Sequence, residues 1–533
     1  MSSIEALQEK YGPSYKLIAI ATSMVCVVSA MLSATIINIA IPDIMGAFGI
    51  SQVKAQWLST AFIAAMTSTM LLTDWIVSSV GTRGAMQWAL GVFTIGSIIG
   101  GIATGENVLI FARILQGAGA GVVQPVAMLI IYHSFPPEER GKGMGIFGFG
   151  VVLAPAIGPW VGGLLMESFD WRIVFLMSIP FAGLGMLFAS IFLPTRADKG
   201  KRRSFDYIGF ILLVLALSLA LTALSSGQRL GWSSWPMLRY YAISIIASVI
   251  FLWWENRIEK PIVELGIFKV APYSAVSVVG FVLGGGIFGS TYLLPLFVQS
   301  VQGMTPVDAG LLLMPAGVAL VIMFPLAGWL CDKISATILI VVGLLLFAIA
   351  SFLSTNIDLN TGFWTLALWT LLGRIGLGLI FPAIAIAGLR ALPDEQVAQG
   401  SGMANFTRQL GGGFGVAFLS VMLEQRTAHH VDALTATQTM DNSSSLAYIL
   451  EYSAAMQGQF SSTEQLAGAM SSLGRTLYIQ AYTSGFQDGF MIAGLLFLSA
   501  LIPTFIYEAT RPGSSFWKRR LQIAVPKPGR AEV

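Results

Sequence analysis

Fourteen separate stretches of this chain are apolar for about the 20 residues that a helix needs to cross the roughly 30 Å hydrocarbon core of a bilayer. They lie near 16–41, 55–78, 85–104, 108–132, 143–166, 173–193, 207–225, 239–254, 274–299, 308–330, 336–354, 364–388, 402–424 and 486–507. Inside a bilayer no water satisfies the backbone, so each such stretch must pair its own N–H and C=O groups and form a helix. Charge agrees with this reading: only 11% of the 533 residues are Asp, Glu, Lys or Arg, too few to clothe a soluble globule. The expected fold class is an all-α integral membrane protein with 14 transmembrane helices. The first run has no convincing small-residue cleavage site and is expected to be retained.

The basic residues orient the chain. Cytoplasmic loops of membrane proteins hold an excess of Lys and Arg, and with the N-terminus inside, 21 of the 30 fall on that side, including Arg196, Lys199, Lys201, Arg202, Arg203, Lys518, Arg519 and Arg520. Lys54, Arg172, Arg229, Arg239, Arg426 and Arg475 fall outside, and Arg113, Arg374 and Arg408 fall within spans. An even helix count leaves both termini cytoplasmic and puts the long loop 426–484, rich in Ser, Gln, Thr and Ala with weak helical patterning around Leu446 to Met456, on the outside. The net charge of +3 is spread too thinly for nucleic acid. Cys26 and Cys331 can form no disulfide framework and match no metal-ligand spacing; no metal and no cofactor is expected.

The chain repeats itself. Arg113-Ile114-Leu115-Gln116-Gly117 leads to Pro125 in the fourth span, and Arg374-Ile375-Gly376-Leu377-Gly378 leads to Pro382 in the twelfth. Leu72-Thr73-Asp74-Trp75 closes the second span as Leu326-Ala327-Gly328-Trp329 and Asp332-Lys333 close the tenth. Such internal symmetry marks secondary transporters. It predicts two six-helix bundles related by pseudo-two-fold symmetry plus two inserted helices: 1–195 for the first bundle, 196–260 for a basic linker and the inserted pair, 261–510 for the second bundle with its external loop, and 511–533 for a cytoplasmic tail.

At these residues the sequence resembles the major facilitator superfamily, specifically its fourteen-helix drug/proton antiporter branch and, within that, the EmrB-like multidrug exporters. The resemblance rests on Thr35-Ile36-Ile37-Asn38-Ile39-Ala40-Ile41-Pro42, Trp57 to Phe62, Arg113 with Gln116-Gly117, Gly158-Pro159-Trp160-Val161-Gly162-Gly163, Asp170-Trp171-Arg172, Ala309 to Pro315, Asn405-Phe406-Thr407-Arg408 and His429-His430. It implies proton-coupled efflux of amphipathic drugs or hydrophobic weak acids across the inner membrane by alternating access, the alternative being an uncoupled or differently coupled exporter of lipid-like or anionic substrates. It also implies docking of the external loop to an EmrA-like periplasmic membrane-fusion adaptor and, through it, to an outer-membrane channel.

Charged groups inside a membrane are costly and are functional candidates by default. Asp74, Arg113, Gln116, Asn38, Arg374 and Arg408 are the candidates for proton coupling or for lining a substrate cavity. Arg113 stands open to a second reading, as a structural arginine bonded to neighbouring helix carbonyls, and Arg408 either reaches the cavity or snorkels to the interface. The resemblance makes Pro155, Gly158, Pro159, Gly162 and Gly163 the antiporter motif, which packs the bundles together. Gly81, Arg83, Gly328, Asp332 and Lys333 form the expected cytoplasmic gate, weakened in its first copy because Ser78 and Ser79 replace the usual acid and base. The span-one Asp of the EmrB-like pattern is replaced by Ser33. Three arginines against almost no acid predict a neutral to positive cavity suited to anionic or neutral amphipaths. Only three histidines occur, none mid-span beside a Ser, Asp or second His, so an intramembrane enzyme is not expected; a channel filter is also missing.

Overall fold

The computed structural model describes residues 7, 9–50, 52–195, 205–259, 261–438, 442–455 and 462–511. The described chain is helical throughout, as the apolar runs require. The first seven helices are α1 (Tyr15–Phe48), α2 (Gln52–Met70), α3 (Thr73–Gly101), α4 (Glu106–Ser134), α5 (Arg140–Ser168), α6 (Ile173–Leu176) and α7 (Ser178–Phe192). A hairpin of α8 (Tyr207–Leu230) and α9 (Trp235–Glu255) follows. The rest are α10 (Ala271–Ser300), α11 (Pro306–Cys331), α12 (Ala336–Leu353), α13 (Phe363–Arg390), α14 (Val397–Ala436), α15 (Ser443–Ala455), α16 (Ser462–Ser499) and α17 (Leu501–Thr510). We call the face that carries Tyr15 proximal and the opposite face distal.

Every expected span coincides with helix, yet eleven helices of the described residues are long and apolar enough to cross a membrane by themselves. Not among the eleven are α2, α5 and α14, and the side chains of α5 at 152–160 lie outside the described residues. Each packs against a helix from the other half of the chain: α5 on α11 and α13, α14 on α2, α3 and α4.

Packing within the two halves recurs. Helix α1 packs on α5 and α7, α3 on α4, and α2 on α4; correspondingly α10 packs on α14 and α16, α12 on α13, and α11 on α13. The α8–α9 hairpin packs on itself and touches α2 and α14. Glycines bring these pairs together: a Cβ on Gly117 would stand 2.3 Å from the Phe62 carbonyl oxygen, and one on Gly411 2.0 Å from that of Phe281. Such contact between backbones is how membrane helices associate without a hydrophobic driving force.

Three boundaries differ from the sequence reading, the first being the second span, 55–78, where α2 ends at Met70 and α3 starts at Thr73. Residues 426–484 are not an open loop: α14 continues to Ala436, α15 is helical, and α16 begins at Ser462. At 40 residues α14 is about 60 Å long, twice the depth of a hydrocarbon core. Only the weak helical patterning around Leu446 to Met456, where α15 lies, was legible there, since the stretch lacks the apolar run that flags a span. The last span is broken at Ala500, between α16 and α17, because Pro503 has no N–H to continue the ladder back to Ser499.

Candidate functional site

Arg113 lies on α4, where helices from the first half converge, and is only 1% exposed. Its Nε donates to the Leu58 carbonyl at 2.9 Å, and its Nη1 donates to the Ser33 carbonyl at 3.1 Å, the Ser33 hydroxyl at 3.2 Å and Gln116 Oε1 at 2.9 Å. The guanidinium carbon sits 4.2 Å from the centre of the Phe62 ring, a cation–π arrangement. The chain of bonds continues from Gln116 Nε2 to Ser97 Oγ at 2.9 Å, and Ser97 lies 3.3 Å from Ser178 Oγ. One arginine thus ties α1, α2 and α4 together, and Gln116 extends the network to α3 and α7. Its buried charge is met by carbonyl and hydroxyl dipoles and an aromatic face.

Arg374, at the matching place on α13, is surrounded differently. It is 8% exposed, and its Nη2 donates to Thr291 Oγ1 on α10 at 2.7 Å. The side chain borders a cavity of about 280 Å³ whose lining includes Phe281, Phe347, Trp369, Phe414 and Phe497. Repetition of the sequence motif has not been followed by repetition of its surroundings: no glutamine lies one turn beyond Arg374, where Leu377 stands in the place that Gln116 takes after Arg113.

Arg408 does not snorkel outward. It lies near the meeting of the halves, donating from Nη2 to Asn405 Oδ1 at 2.8 Å, with its guanidinium 4.7 Å from the Phe381 ring. A small space of about 30 Å³ there is bordered by Met128, Phe147, Phe381 and Arg408 from both halves. The path between the halves is nearly filled at this level. Asp74 is half-buried in the first turn of α3, just after the break at Leu71–Leu72, well away from Arg113 on the fold's proximal side.

At the proximal face the second-half motif makes the principal contact between halves. Asp332, just beyond α11, accepts from the backbone N–H of Gly141 at 2.7 Å and of Lys142 at 3.0 Å. These are free N–H groups of the first turn of α5, so a carboxylate from one half caps a helix of the other and meets the positive end of its dipole. Burial pushes the Asp332 carboxyl above its ordinary value against the opposing pull of those two N–H groups and of Arg390 and Lys142. Gly328 lies directly under the contact: its added Cβ would stand 2.4 Å from the Gly141 carbonyl oxygen, and one on Gly145 would stand 2.4 Å from that of Phe324. Arg390 adds a bond to the Pro137 carbonyl at 2.7 Å. Lys333, just past α11, stacks on Trp329 of that helix, 3.8 Å from the ring centre, and among the described residues makes no salt bridge across.

The first copy of this motif turns inward to its own half. Gly81 has φ 77°, a left-handed conformation that glycine tolerates, and breaks α3 there. Arg83 Nε then donates to the Leu193 carbonyl at 2.8 Å. Ser78, where an acid is usual, bonds back to the Trp75 carbonyl at 3.0 Å.

Within the antiporter motif Gly162 is described, and it faces α1: its added Cβ would stand 2.3 Å from Ile36 Cγ1. It therefore packs inside the first half, and the glycines of α5 that face the other half are Gly141, Gly145 and Gly148, nearer the proximal end. Their spacing of four and then three residues keeps them on one helix face, a pattern of close helix packing. The side chains of Asn38, Pro155, Gly158, Pro159 and Gly163 lie outside the described residues. His430 is not in a solvated loop: it lies on α14, 2.9 Å from Asp488 on α16, and Arg426 Nε is 3.2 Å from the same oxygen. Among the described residues no group of three His, Cys, Asp or Glu could hold a metal ion.

Comparison with known proteins matches this geometry to one family. The model of the Major Facilitator Superfamily covers residues 23–416. The chain is 28% identical over 506 residues to the uncharacterized MFS-type transporter YhcA of Bacillus subtilis (strain 168), covering 94% of this chain and 95% of that one. It is 28% identical over 411 residues to the multidrug export protein EmrB of Escherichia coli (strain K12), covering 76% and 80%. The solved structure of the proton:xylose symporter XylE superposes with a TM-score of 0.60 at 13% identity, covering 95% of this chain and 98% of that one, a likeness of fold. Recurrent helix pairing, a glycine-lined contact between the halves and a family match over most of its length together show that this multi-pass membrane chain belongs to the Major Facilitator Superfamily.

Proposed function

We propose that this protein exports amphipathic drugs or hydrophobic weak acids across the inner membrane by alternating access, driven by proton entry. In this reading the chain crosses the membrane fourteen times with both termini cytoplasmic. Residues 1–195 and 261–510 act as two rocking bundles, 196–260 supplies the basic linker and inserted pair, and 511–533 forms the tail. The observation that carries the reading is the proximal contact itself. Asp332 on the first turn of α5, with Gly328 against Gly141 and Gly145, joins the halves through a few polar bonds and bare backbone. Such a contact can part and re-form without unpacking a core, as alternation requires. The proximal side is the cytoplasmic one, Gly81, Arg83, Gly328, Asp332 and Lys333 supply its gate, and the form described is closed there. Resemblance to EmrB, a multidrug export protein, supports the cargo class.

The α14–α16 extension gives a surface for the periplasmic adaptor of the EmrA-like type. It exposes Leu446, Leu450, Leu466 and Met470 beyond the length of a span, and adaptor contact there would lead on to an outer-membrane channel. One observation favours a second reading, export without a proton: Ser33 and not an acid faces Arg113. Transport in proteoliposomes under an imposed pH gradient tests the two, comparing the wild type with Asp74→Asn and Arg113→Ala. Drug accumulation that follows the gradient and is lost in either variant fits antiport. Accumulation indifferent to the gradient replaces it with the uncoupled reading.

A further inference from the structure

The cavity beside Arg374 lies wholly within the second half. Its lining comes from α10, α12 with the turn after it, α13, α14 and α16, and none of it from α1 to α7. It is therefore separate from the contact between the halves, where Arg408 and Met128 leave space for little more than a water. Its walls are aromatic and aliphatic, with Phe347 and Phe497 stacked at 3.8 Å between ring centres. Polar groups are few: Ser290, Ser351, Ser354 and Thr370 join Arg374.

An arginine in such a place is unusual. Its charge is permanent at any physiological pH, it is almost fully buried, and among the described residues its guanidinium donates to one neutral hydroxyl, that of Thr291. Arg113 engages two carbonyls, a hydroxyl and an amide with the same set of donors. The remaining donors of Arg374 are best satisfied by an anion, since charge-assisted bonds to a carboxylate are about twice as strong as neutral ones. The volume of about 280 Å³ sits at the small end of ligand pockets, with room for one tail.

We propose that this cavity binds a single-tailed hydrophobic anion, its headgroup on the Arg374 guanidinium and its tail between Phe347, Phe414 and Phe497. A free alkyl carboxylate and the anionic head and one chain of a membrane lipid share this chemistry. The site goes beyond the efflux reading and does not depend on it, because it holds its ligand inside one half.

Trp369 lines the cavity and reports on it. The full-length protein in phosphatidylcholine nanodiscs is titrated with ω-bromododecanoate, whose bromine quenches indole fluorescence on contact, and with ω-bromododecanol as the neutral match. The acid is expected to quench saturably, and Trp369→Phe to remove that component. Arg374→Gln is expected to weaken the acid by about tenfold or more, the worth of a hydrogen bond to a charged group, and to leave the alcohol unchanged. Ala350→Leu keeps the arginine and fills the space, so it should weaken both, which guards against a poorly folded arginine variant. Replacing part of the phosphatidylcholine with phosphatidylglycerol identifies the source: competition assigns the site to lipid, undiminished quenching to the free carboxylate. Equal binding of acid and alcohol, an unchanged affinity in Arg374→Gln, or quenching that survives in Trp369→Phe overturns the proposal. Binding is read without transport, so failure of drug efflux in proteoliposomes leaves this result standing, and the reverse holds too.

Discussion

Arg113 holds Ser33 by two bonds from one nitrogen, to its carbonyl at 3.1 Å and to its hydroxyl at 3.2 Å. By the resemblance given for the sequence, an aspartate is the expected residue at position 33, and here a serine hydroxyl meets the most buried arginine among the described residues. What remains is a cation held by dipoles, with its Nη2 buried and lacking a hydrogen-bond partner among the described residues.

Restoring the acid should therefore create a pair. In Ser33→Asp the carboxylate falls within reach of Nη1, and each charge compensates the desolvation of the other. A double-mutant cycle with Arg113→Gln, read by thermal unfolding of the purified protein, is expected to give a coupling of about 2 kcal/mol or more between the two sites. Additive effects of the two substitutions would show that the introduced carboxylate does not reach the guanidinium.

The two matched arginines should also differ in what they stabilise. Arg113→Ala leaves the Ser33 hydroxyl and Gln116 Oε1 without their donor and empties a packed site, at a cost of about 3 kcal/mol. Arg374→Ala loses a bond to Thr291 beside a cavity that is already open, at a cost of about 1 kcal/mol. Equal losses of unfolding temperature in one detergent would contradict the contrast in packing.

At the contact between the halves, Gly328 leaves no space for a methyl group. Gly328→Ala would place its Cβ 2.4 Å from the Gly141 carbonyl oxygen and 2.8 Å from Gly145 Cα, both backbone atoms that cannot turn aside. The halves must separate at the proximal face, and transport is expected to fall at least tenfold. Gly317→Ala, on the same helix with nothing within 4 Å, serves as the matched control and should keep full transport. Near-normal transport by Gly328→Ala would show that the contact yields without consequence.

These sites differ in how far the sequence revealed them. Apolar runs located the helices, because exclusion of water leaves a single backbone solution, and an arginine among them identified Arg113 as a buried charge in need of partners. Its partners were less visible: Ser97 and Ser178 are unremarkable residues of α3 and α7, and only packing brings them to Gln116. The cavity at Arg374 was invisible for a similar reason, since it arises from how Phe347 and Phe497 stack, which no spacing within one helix records. Of the helices within 426–484, α15 showed in the weak patterning around Leu446 to Met456, while the extensions of α14 and α16 were masked by their polarity. Asp332 was readable as a motif residue, but its target, the bare first turn of α5, required the fold.

Asp332 gives that contact a dependence on pH whose sign can be worked out. In the closed form burial raises the carboxyl above its ordinary value, while in a parted form it returns to water and to about 3.9. The closed form therefore binds a proton more readily than the parted one, and acidification favours closure. The gain begins as pH falls through the raised value of the closed form and is complete below the ordinary one. Spin labels at Glu138 and Ile334, on exposed sites either side of the contact, should show a larger short-distance population as pH is lowered from neutral to the ordinary carboxyl value of about 3.9. Asp332→Asn should hold a distribution that no longer moves with pH. Asp332→Ala, which leaves the N–H groups of Gly141 and Lys142 without an acceptor, should favour long distances throughout. A wild-type distribution that stays constant with pH, or that shifts toward long distances in acid, would remove Asp332 as the group that senses the proton at this face.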